Sequence, residues 1–368
     1  MIKVGIIGGD TVAAGELIRL LVNHPDVNLK VVASPEHAGM PLASVHRGLE
    51  GDTDLCFSQE LAVADAAAML SVVFLCGEPW QARQFVEELD GLRASAEGCD
   101  GADSRHGVDD EPLRVIDLTG AYRHGGAGMV YGLPEFNRKA LVRGATRAAV
   151  PSSVAMDVEL ALFPLAKNSA LQGPIRVTVD LPSTEVLACG DCAEMEAGLS
   201  TRFDPVAPVE FRPDAEGFGH EISVFLSEVM AAFRGSVDVR ISRGSRRRGV
   251  VAVVDLAVAM SMADICRVID NSYDDHAFAY RVGHKPDVDE AVNTNKCLIY
   301  VADPRVPDDL GTVSSDAVAP APAGLTAVRL VSVIDNLLKG GAGNAVHCMN
   351  LLFGLSERTG LALKSSAI

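Results

Sequence analysis

The hydropathy of the first 120 residues changes period at regular intervals. "KVGIIGG" (3–9) is a short β-rich run closed by glycines, and "AGELIRLLVNHP" (14–25) follows with helical spacing until Pro25 stops it. "LKVVASP" (29–35) predicts a second strand, and "AMLSVVFLCGEP" (68–79) a third that ends in a glycine turn. "QARQFVEELDGL" (81–92) has helical spacing and "LRVIDLTG" (113–120) predicts a fourth strand. Strands alternating with helices imply βαβ units around a parallel sheet. The polar, acidic stretch 93–112 between the last two elements reads as a loop.

From about residue 170 the β-rich runs lengthen: "GPIRVTVDLP" (173–182), "SVDVRISRG" (236–244) and "RGVVAVVDLAV" (248–258) predict a larger sheet in a second domain. "SMADICRVIDNSY" (261–273) is a helix with Ser261 as its N-cap. The Pro-, Ala- and Asp-rich stretch 303–324 reads as a surface loop, and 328–355 as a strand, a glycine-rich break and a helix. No internal repeat is present.

Between the two textures lies "AVPSSVAMDVELALFPL" (149–165), which predicts an amphipathic helix. Val154, Val158, Leu160, Ala161, Leu162 and Leu165 give it a broad apolar face, and Pro151, Ser152 and Ser153 open it. The start of a helix favours an anion or a nucleophile, so these two hydroxyls are candidates for chemistry.

Composition narrows the classes. A chain of 368 residues has room for two domains, and 48% hydrophobic residues make it globular. A formal charge of −17 argues against non-specific binding to nucleic acid or anionic membranes, and an anionic substrate needs a local basic pocket. No apolar run reaches the ~18 residues of a membrane span. The eight cysteines are scattered, and the opening residues run straight into a strand instead of a signal sequence; a cytoplasmic setting is expected.

Gly5, Gly8, Gly9 and Gly15 follow the first strand, but not at the G-x-G-x-x-G spacing, and Asp10 adds a carboxylate to the turn. Read alone, the segment fits a dinucleotide-binding turn or a plain glycine-rich turn of an α/β domain.

"VSVIDNLLKGGAGNAVHCMNLLFGLSERTGL" (331–361) closely resembles the C-terminal signature of the N-acetyl-γ-glutamyl-phosphate reductases. "VGIIGGDTVAAGELIRLLVNHPDV" (4–27), "VIDLTGAYR" (115–123) with "VYGLPEFNR" (130–138), and "VNTNKC" (292–297) agree with other blocks of that family, in order and spacing. The resemblance spans the whole chain. It implies an α/β protein with a Rossmann-type parallel-sheet domain, residues 1–150 with 330–368, that binds NADP. It also implies an α/β catalytic and dimerisation domain with a large mixed sheet, residues 151–329. The implied partner is a small-molecule acyl phosphate, the implied reaction its reduction to a semialdehyde in arginine biosynthesis, and the implied assembly a homodimer or homotetramer.

By the same resemblance Ser153 stands where the family carries its nucleophilic cysteine, and His220 is the candidate acid/base. A gap-free match through "EI" puts Phe218 at that place instead, and an ordinary capping or surface histidine is the competing reading of His220. Arg123 corresponds to a substrate-binding arginine. Gly8, Gly9, Thr11, Asn336 and Gly340 correspond to positions near the cofactor. Side chains at Thr11 and Ala14, where the family has glycines, are expected to crowd a pyrophosphate and weaken NADP binding. The family's glycine-rich loop in the second domain appears here as "VDLPSTEVL" (179–187).

An alcohol ionises far less readily than a thiol, and the helix dipole, worth at most about 2 kcal/mol, does not make Ser153 an alkoxide. Asp157, one turn on, adds unhelpful negative charge. Three hypotheses follow: an active acyl-phosphate reductase, a catalytically inactive relative acting as a binding or regulatory subunit, and a hydrolase for which no adjacent base is legible. Arg243, Arg246, Arg247 and Arg248 read either as a phosphate-attracting cluster or as a solvated strand end. The lone C-x-x-C of Cys189 and Cys192 lacks a second ligand pair, and no metal is expected.

Overall fold

A computed structural model describes residues 1–97, 111–188, 214–305 and 322–367. The chain divides into two compact units, Met1–Pro151 with Gly341–Ala362, and Ser152–Gly340 with Leu363–Ile368.

The first unit is built on strands β1 (Ile2–Ile7), β2 (Val27–Ala33), β3 (Val72–Leu75), β4 (Arg114–Asp117), β5 (Val130–Tyr131) and β6 (Arg147–Ala149). They form one sheet in the order β2-β1-β3-β4-β6-β5, with every pair parallel. β3 is buried along its whole length, which is why its sequence is continuously apolar instead of alternating. From β1 the chain steps to one side to make β2 and then to the other to make β3. The carboxyl ends of β1 and β3 therefore flank the topological switch point of the sheet. Helices α1 (Val12–Leu21), α2 (Pro79–Glu97) and α3 (Pro134–Val142) provide crossovers.

The second unit holds β7 (Leu171–Leu181), β8 (Val237–Arg243), β9 (Val250–Val258), β10 (Ala279–Arg281), β11 (Cys297–Ala302) and β12 (Thr326–Ile334). Their order is β10-β11-β12-β9-β7-β8, a mixed sheet. β12 pairs antiparallel with both β9 and β11 along its β-branched run, up to Ile334. That pairing moves 330–340 out of the first domain, where the sequence had placed them, and sets the return between Gly340 and Gly341.

Helices α4 (Ser153–Lys167), α5 (Ser183–Ala188), α6 (Ala215–Val229) and α7 (Met262–Tyr273) belong to this unit, and α8 (Gly343–Leu352) to the first. α4 differs from its expectation. Every residue from Ser153 to Ala166 is buried, so it is covered on all sides and not amphipathic. It packs on β7, β9, β11 and β12 and against α6 and α7. The Tyr273 hydroxyl of α7 donates to the carbonyl of Leu160.

α8 is also buried throughout, and its polar residues are anchors. Asn344 Nδ2 donates to the Gly132 carbonyl at 2.6 Å, Asn350 Oδ1 lies 3.1 Å from His24 Nε2, and His347 Nε2 lies 2.8 Å from Glu357. These ties account for the polar letters of the C-terminal block as packing of the first unit. Among the described residues no helix is long and apolar enough to cross a membrane.

The buried polar side of α4 yields a test. Ser332 of β12 donates to Asp157 Oδ1, the backbone of Ala252 also bonds the carboxyl, and burial pushes it up to about 8. Asp157 therefore stays protonated in the fold at pH values where the unfolded chain has lost that proton. The stability it contributes is complete below the unfolded value near 4 and is lost as pH rises toward 8. Its slope is up to about 1.4 kcal/mol per pH unit. Asp157→Asn is expected to flatten the pH dependence of urea unfolding between pH 5 and 8 (about that range, from the carboxylate and folded values) and to be more stable than the parent at the upper end. An unchanged slope counts against a protonated Asp157.

Candidate active site

Two carboxylates hold the start of α4. Ser152 is its N-cap, with Oγ accepting from the Ala155 N–H at 3.2 Å. The same hydroxyl donates to Glu221 Oε2 at 2.6 Å, and the Ser152 N–H donates to Glu221 Oε1 at 3.0 Å. Glu221, on α6, is buried, so this pair is shielded from water. Ser153 is the first helical residue and only 3% exposed; its Oγ donates to Glu185 Oε1 at 2.6 Å.

Asn336 completes the cluster. Its Nδ2 donates to Glu185 Oε2 at 3.1 Å and to Thr184 Oγ1 at 3.0 Å, and its Oδ1 accepts from the Gly249 N–H at 3.1 Å. A buried asparagine with both ends of its amide engaged is a structural tie within this unit. Gly340 is likewise explained within this unit. A Cβ there would stand 2.7 Å from Ser153 Cβ, so glycine lets the chain pass against the first residue of α4. Asp335 anchors that passage, accepting from the N–H groups of Leu337 (2.9 Å) and Asn293 (2.8 Å) and from Arg248 Nη2 at 3.1 Å.

The arginine run is partly internal. Arg248 pairs with Asp335 and Arg246 with Asp180 at 2.6 Å, while Arg243 and Arg247 are exposed. His220 sits on the exposed side of α6 and Phe218 on the buried side. The residue that α6 presents to the start of α4 is Glu221, next to His220. Helical spacing could have found it, because Phe218, Glu221, Ile222 and Phe225 are the i, i+3, i+4 and i+7 positions of the buried stripe. Glu185 had no comparable local signal; only the fold brings it to Ser153. Cys189 and Cys192 lie outside the described residues.

The other predicted positions are in the first unit. Gly8, at φ +74°, closes β1; a Cβ on it would lie 2.2 Å from the Gly77 nitrogen at the end of β3. Glycine at 8 therefore lets the turn after β1 pass against the backbone after β3, at the switch point where doubly wound sheets take their ligands. Gly9 packs on Val32, with its N–H donating to the Ala33 carbonyl at 2.8 Å. Thr11 is the N-cap of α1: Oγ1 accepts from the Ala14 N–H at 3.2 Å and donates to the Gly8 carbonyl at 3.1 Å. Ala14 is fully buried, so its methyl group packs inside the unit. His46 Nε2 lies 2.7 Å from the Gly9 carbonyl, and burial lowers its pKa.

Arg123 lies over the backbone of Gly120 in the loop after β4. Asp117 shapes that loop by accepting from the Thr119 N–H (2.8 Å), the Thr119 hydroxyl (2.6 Å) and the Tyr122 N–H (3.2 Å). The Nε of Arg123 is buried and makes no hydrogen bond among the described residues.

A parallel doubly wound sheet and a second unit built on a mixed sheet define a two-unit α/β fold of dehydrogenase type. The model for the semialdehyde dehydrogenase NAD binding domain matches residues 3–143. Over 96% of this chain the fold is similar to the NADP complex of aspartate semialdehyde dehydrogenase from Candida albicans (98% of that chain, TM-score 0.64, 14% identity). The same share matches aspartate semialdehyde dehydrogenase II from Vibrio cholerae (98% of that chain, TM-score 0.62, 16% identity). Among curated proteins, the N-acetyl-gamma-glutamyl-phosphate reductases of Parabacteroides distasonis and Phocaeicola vulgatus are 35% and 33% identical over 100% of both chains. The chain belongs to the N-acetyl-gamma-glutamyl-phosphate reductase family.

Two substitutions test the packing around Ser153. Ser152→Ala removes a cap and leaves buried Glu221 short of a donor, and is expected to cost about 1–2 kcal/mol in urea unfolding. Gly340→Ala forces Ser153 or its own backbone to move and is expected to cost about 1–3 kcal/mol. Neutral results would show that the helix start is looser than these distances imply.

Proposed function

We propose that this chain is an N-acetyl-γ-glutamyl-phosphate reductase that acts through a serine. It reduces an acyl phosphate to a semialdehyde with a nicotinamide dinucleotide, as a cytoplasmic enzyme of arginine biosynthesis. The observation that carries this reading is the end-to-end 35% identity to a reductase of that name. The turn at Gly8, Gly9 and Thr11 would hold the dinucleotide pyrophosphate, and the nicotinamide would supply hydride. NADP is the form that the family resemblance implies. Arg123, with a buried Nε that has no partner among the described residues, is the proposed anion-binding side chain for the substrate.

Ser153 stands at the nucleophile position with its proton directed at Glu185. In the proposed step Oγ attacks the acyl carbon, the proton passes to Glu185, and the bond between the acyl carbon and the bridging phosphate oxygen breaks. Phosphate then leaves with the bonding pair. An acyl phosphate is activated enough for a hydroxyl assisted by a weak base. The product is an oxygen ester, a poorer hydride acceptor than a thioester, so turnover is slow. Exposed His220 has no assigned step, and Glu185 takes the acid/base role expected of it.

A second reading, a non-catalytic relative, draws support from a specific feature: both carboxylates at the helix start put negative charge where an acyl phosphate must approach. Assay of the acyl phosphate with reduced dinucleotide, and of the reverse reaction, separates the two. Turnover at least a hundredfold below a typical ~10 s⁻¹, insensitive to iodoacetamide and abolished in Ser153→Ala, supports the serine enzyme. No turnover in either direction supports the second reading.

The same geometry predicts the fate of a restored thiol. In Ser153→Cys the Glu185 carboxylate opposes thiolate formation, so iodoacetamide at neutral pH is expected to alkylate that thiol slowly. Adding Glu185→Gln should speed alkylation by roughly tenfold, one pK unit's worth. Fast alkylation of the single variant would show that Glu185 does not control this atom.

A further inference from the structure

Resting on the dinucleotide reading of the first unit, we infer that its turn is built for the 2′-hydroxyl of NAD and rejects the 2′-phosphate of NADP. The residues that set this are Asp10 and Glu36. In a doubly wound sheet the adenosine ribose lies at the end of the second strand, where a carboxylate accepts from a free 2′-hydroxyl and an arginine accommodates a 2′-phosphate. β2 ends at Ala33 and is followed by Ser34 and a single tight turn, Pro35–His37. Glu36 is exposed on that turn, and Asp10 reaches it from the turn after β1. The carboxyl oxygens of Asp10 and Glu36 and a ring nitrogen of His37 all lie within 4.8 Å of one another.

The charge balance opposes a phosphate. No Lys or Arg occurs between Lys30 in β2 and Arg47. Of the two imidazoles near the pair, His37 lies with Nδ1 3.5 Å from Asp10 Oδ2 and 3.2 Å from Ser34 Oγ, and His46, also coupled to Asp10, is disfavoured as a cation by burial. A protonated His37 is thus matched by Asp10, and Glu36 remains as net negative charge. A 2′-phosphate would bring nearly two further negative charges to within a few ångströms, whereas a 2′-hydroxyl gains an acceptor. The acidic pair therefore discriminates by repulsion as well as by a hydrogen bond.

Trp80, the single tryptophan, is exposed three residues beyond Gly77 and gives a binding signal independent of turnover. The full chain is titrated with NADH and with NADPH, following quenching of Trp80 and, in parallel, heat by calorimetry. EDTA is present so that no divalent cation on Asp10, Glu36 and His37 offsets the carboxylates. NADH is expected to bind at least tenfold more tightly than NADPH. Glu36→Arg, at an exposed position, should shift the ratio at least tenfold toward NADPH, Asp10→Asn should shift it the same way by less, and Arg47→Ala should leave it within twofold. Equal or tighter binding of NADPH by the parent, or a ratio indifferent to Glu36→Arg, overturns the inference. Binding of neither dinucleotide overturns the dinucleotide reading itself and this inference with it.

Discussion

The second unit is organised around a helix that has no solvent side. Because α4 is buried from Ser153 to Ala166, the free N–H groups and hydroxyls at its start cannot be satisfied by bulk water. The fold supplies acceptors from elements distant in sequence: Glu221 from α6 for Ser152, and Glu185 from α5 for Ser153. Those contacts require the final stretch of the unit to pass close by, which only a glycine at 340 permits. Helix start, carboxylates and glycine form one constraint, and changing any member disturbs the others.

That constraint explains why serine at 153 is chemically consistent with its surroundings. A thiolate nucleophile wants positive potential, and a carboxylate 2.6 Å away would raise its pKa. A hydroxyl is neutral and wants an acceptor for its proton, which a carboxylate provides. Asn336 then holds Glu185 in place by its second oxygen. The helix start is therefore not a thiol site with one atom exchanged. Its hydrogen-bond polarity suits an oxygen.

Elements formed by local pattern were legible in the sequence. The β1, β2, β3 and β4 runs announced themselves by short apolar stretches with glycine or proline ends, and Ser261 caps α7 as expected, accepting from the Asp264 N–H. What was not legible depended on partners far along the chain. β12 looked like the start of the return to the first domain until its pairing with β9 and β11 fixed it in the mixed sheet. α4 looked one-sided because Asp157 and Glu159 are charged letters, yet both are buried. Glu185 lay in "PSTEVL", read there as a replaced glycine loop, and nothing within ten or so residues of it hints at Ser153 as its partner (contacts of such sequence separation are set by topology). His220 drew attention by its type, whereas the helical stripe through Phe218, Ile222 and Phe225 selects its neighbour Glu221.

The glycines show how far type alone can mislead about binding. Gly340 and Gly15 are small because a protein side chain occupies the space: Ser153 beside one, His46 beside the other. Gly8 is different, since what its missing Cβ would meet is the backbone of Gly77 across the switch point. Two backbones thus pass in contact where the sheet reverses direction, with Gln81 Oε1 packed against Gly77 from the other side. Electrostatics then refines the reading. In a chain of net charge −17, Arg246 and Arg248 are committed to Asp180 and Asp335, and Arg147 to Asp90. An anionic ligand must therefore be met by the few cationic or N–H groups not already matched. Arg123 keeps a buried Nε without an acceptor among the described residues, while its charge also faces Asp117. The carboxylates at Asp10 and Glu36 mark the opposite case, a place where the protein admits a neutral sugar edge and turns added charge away.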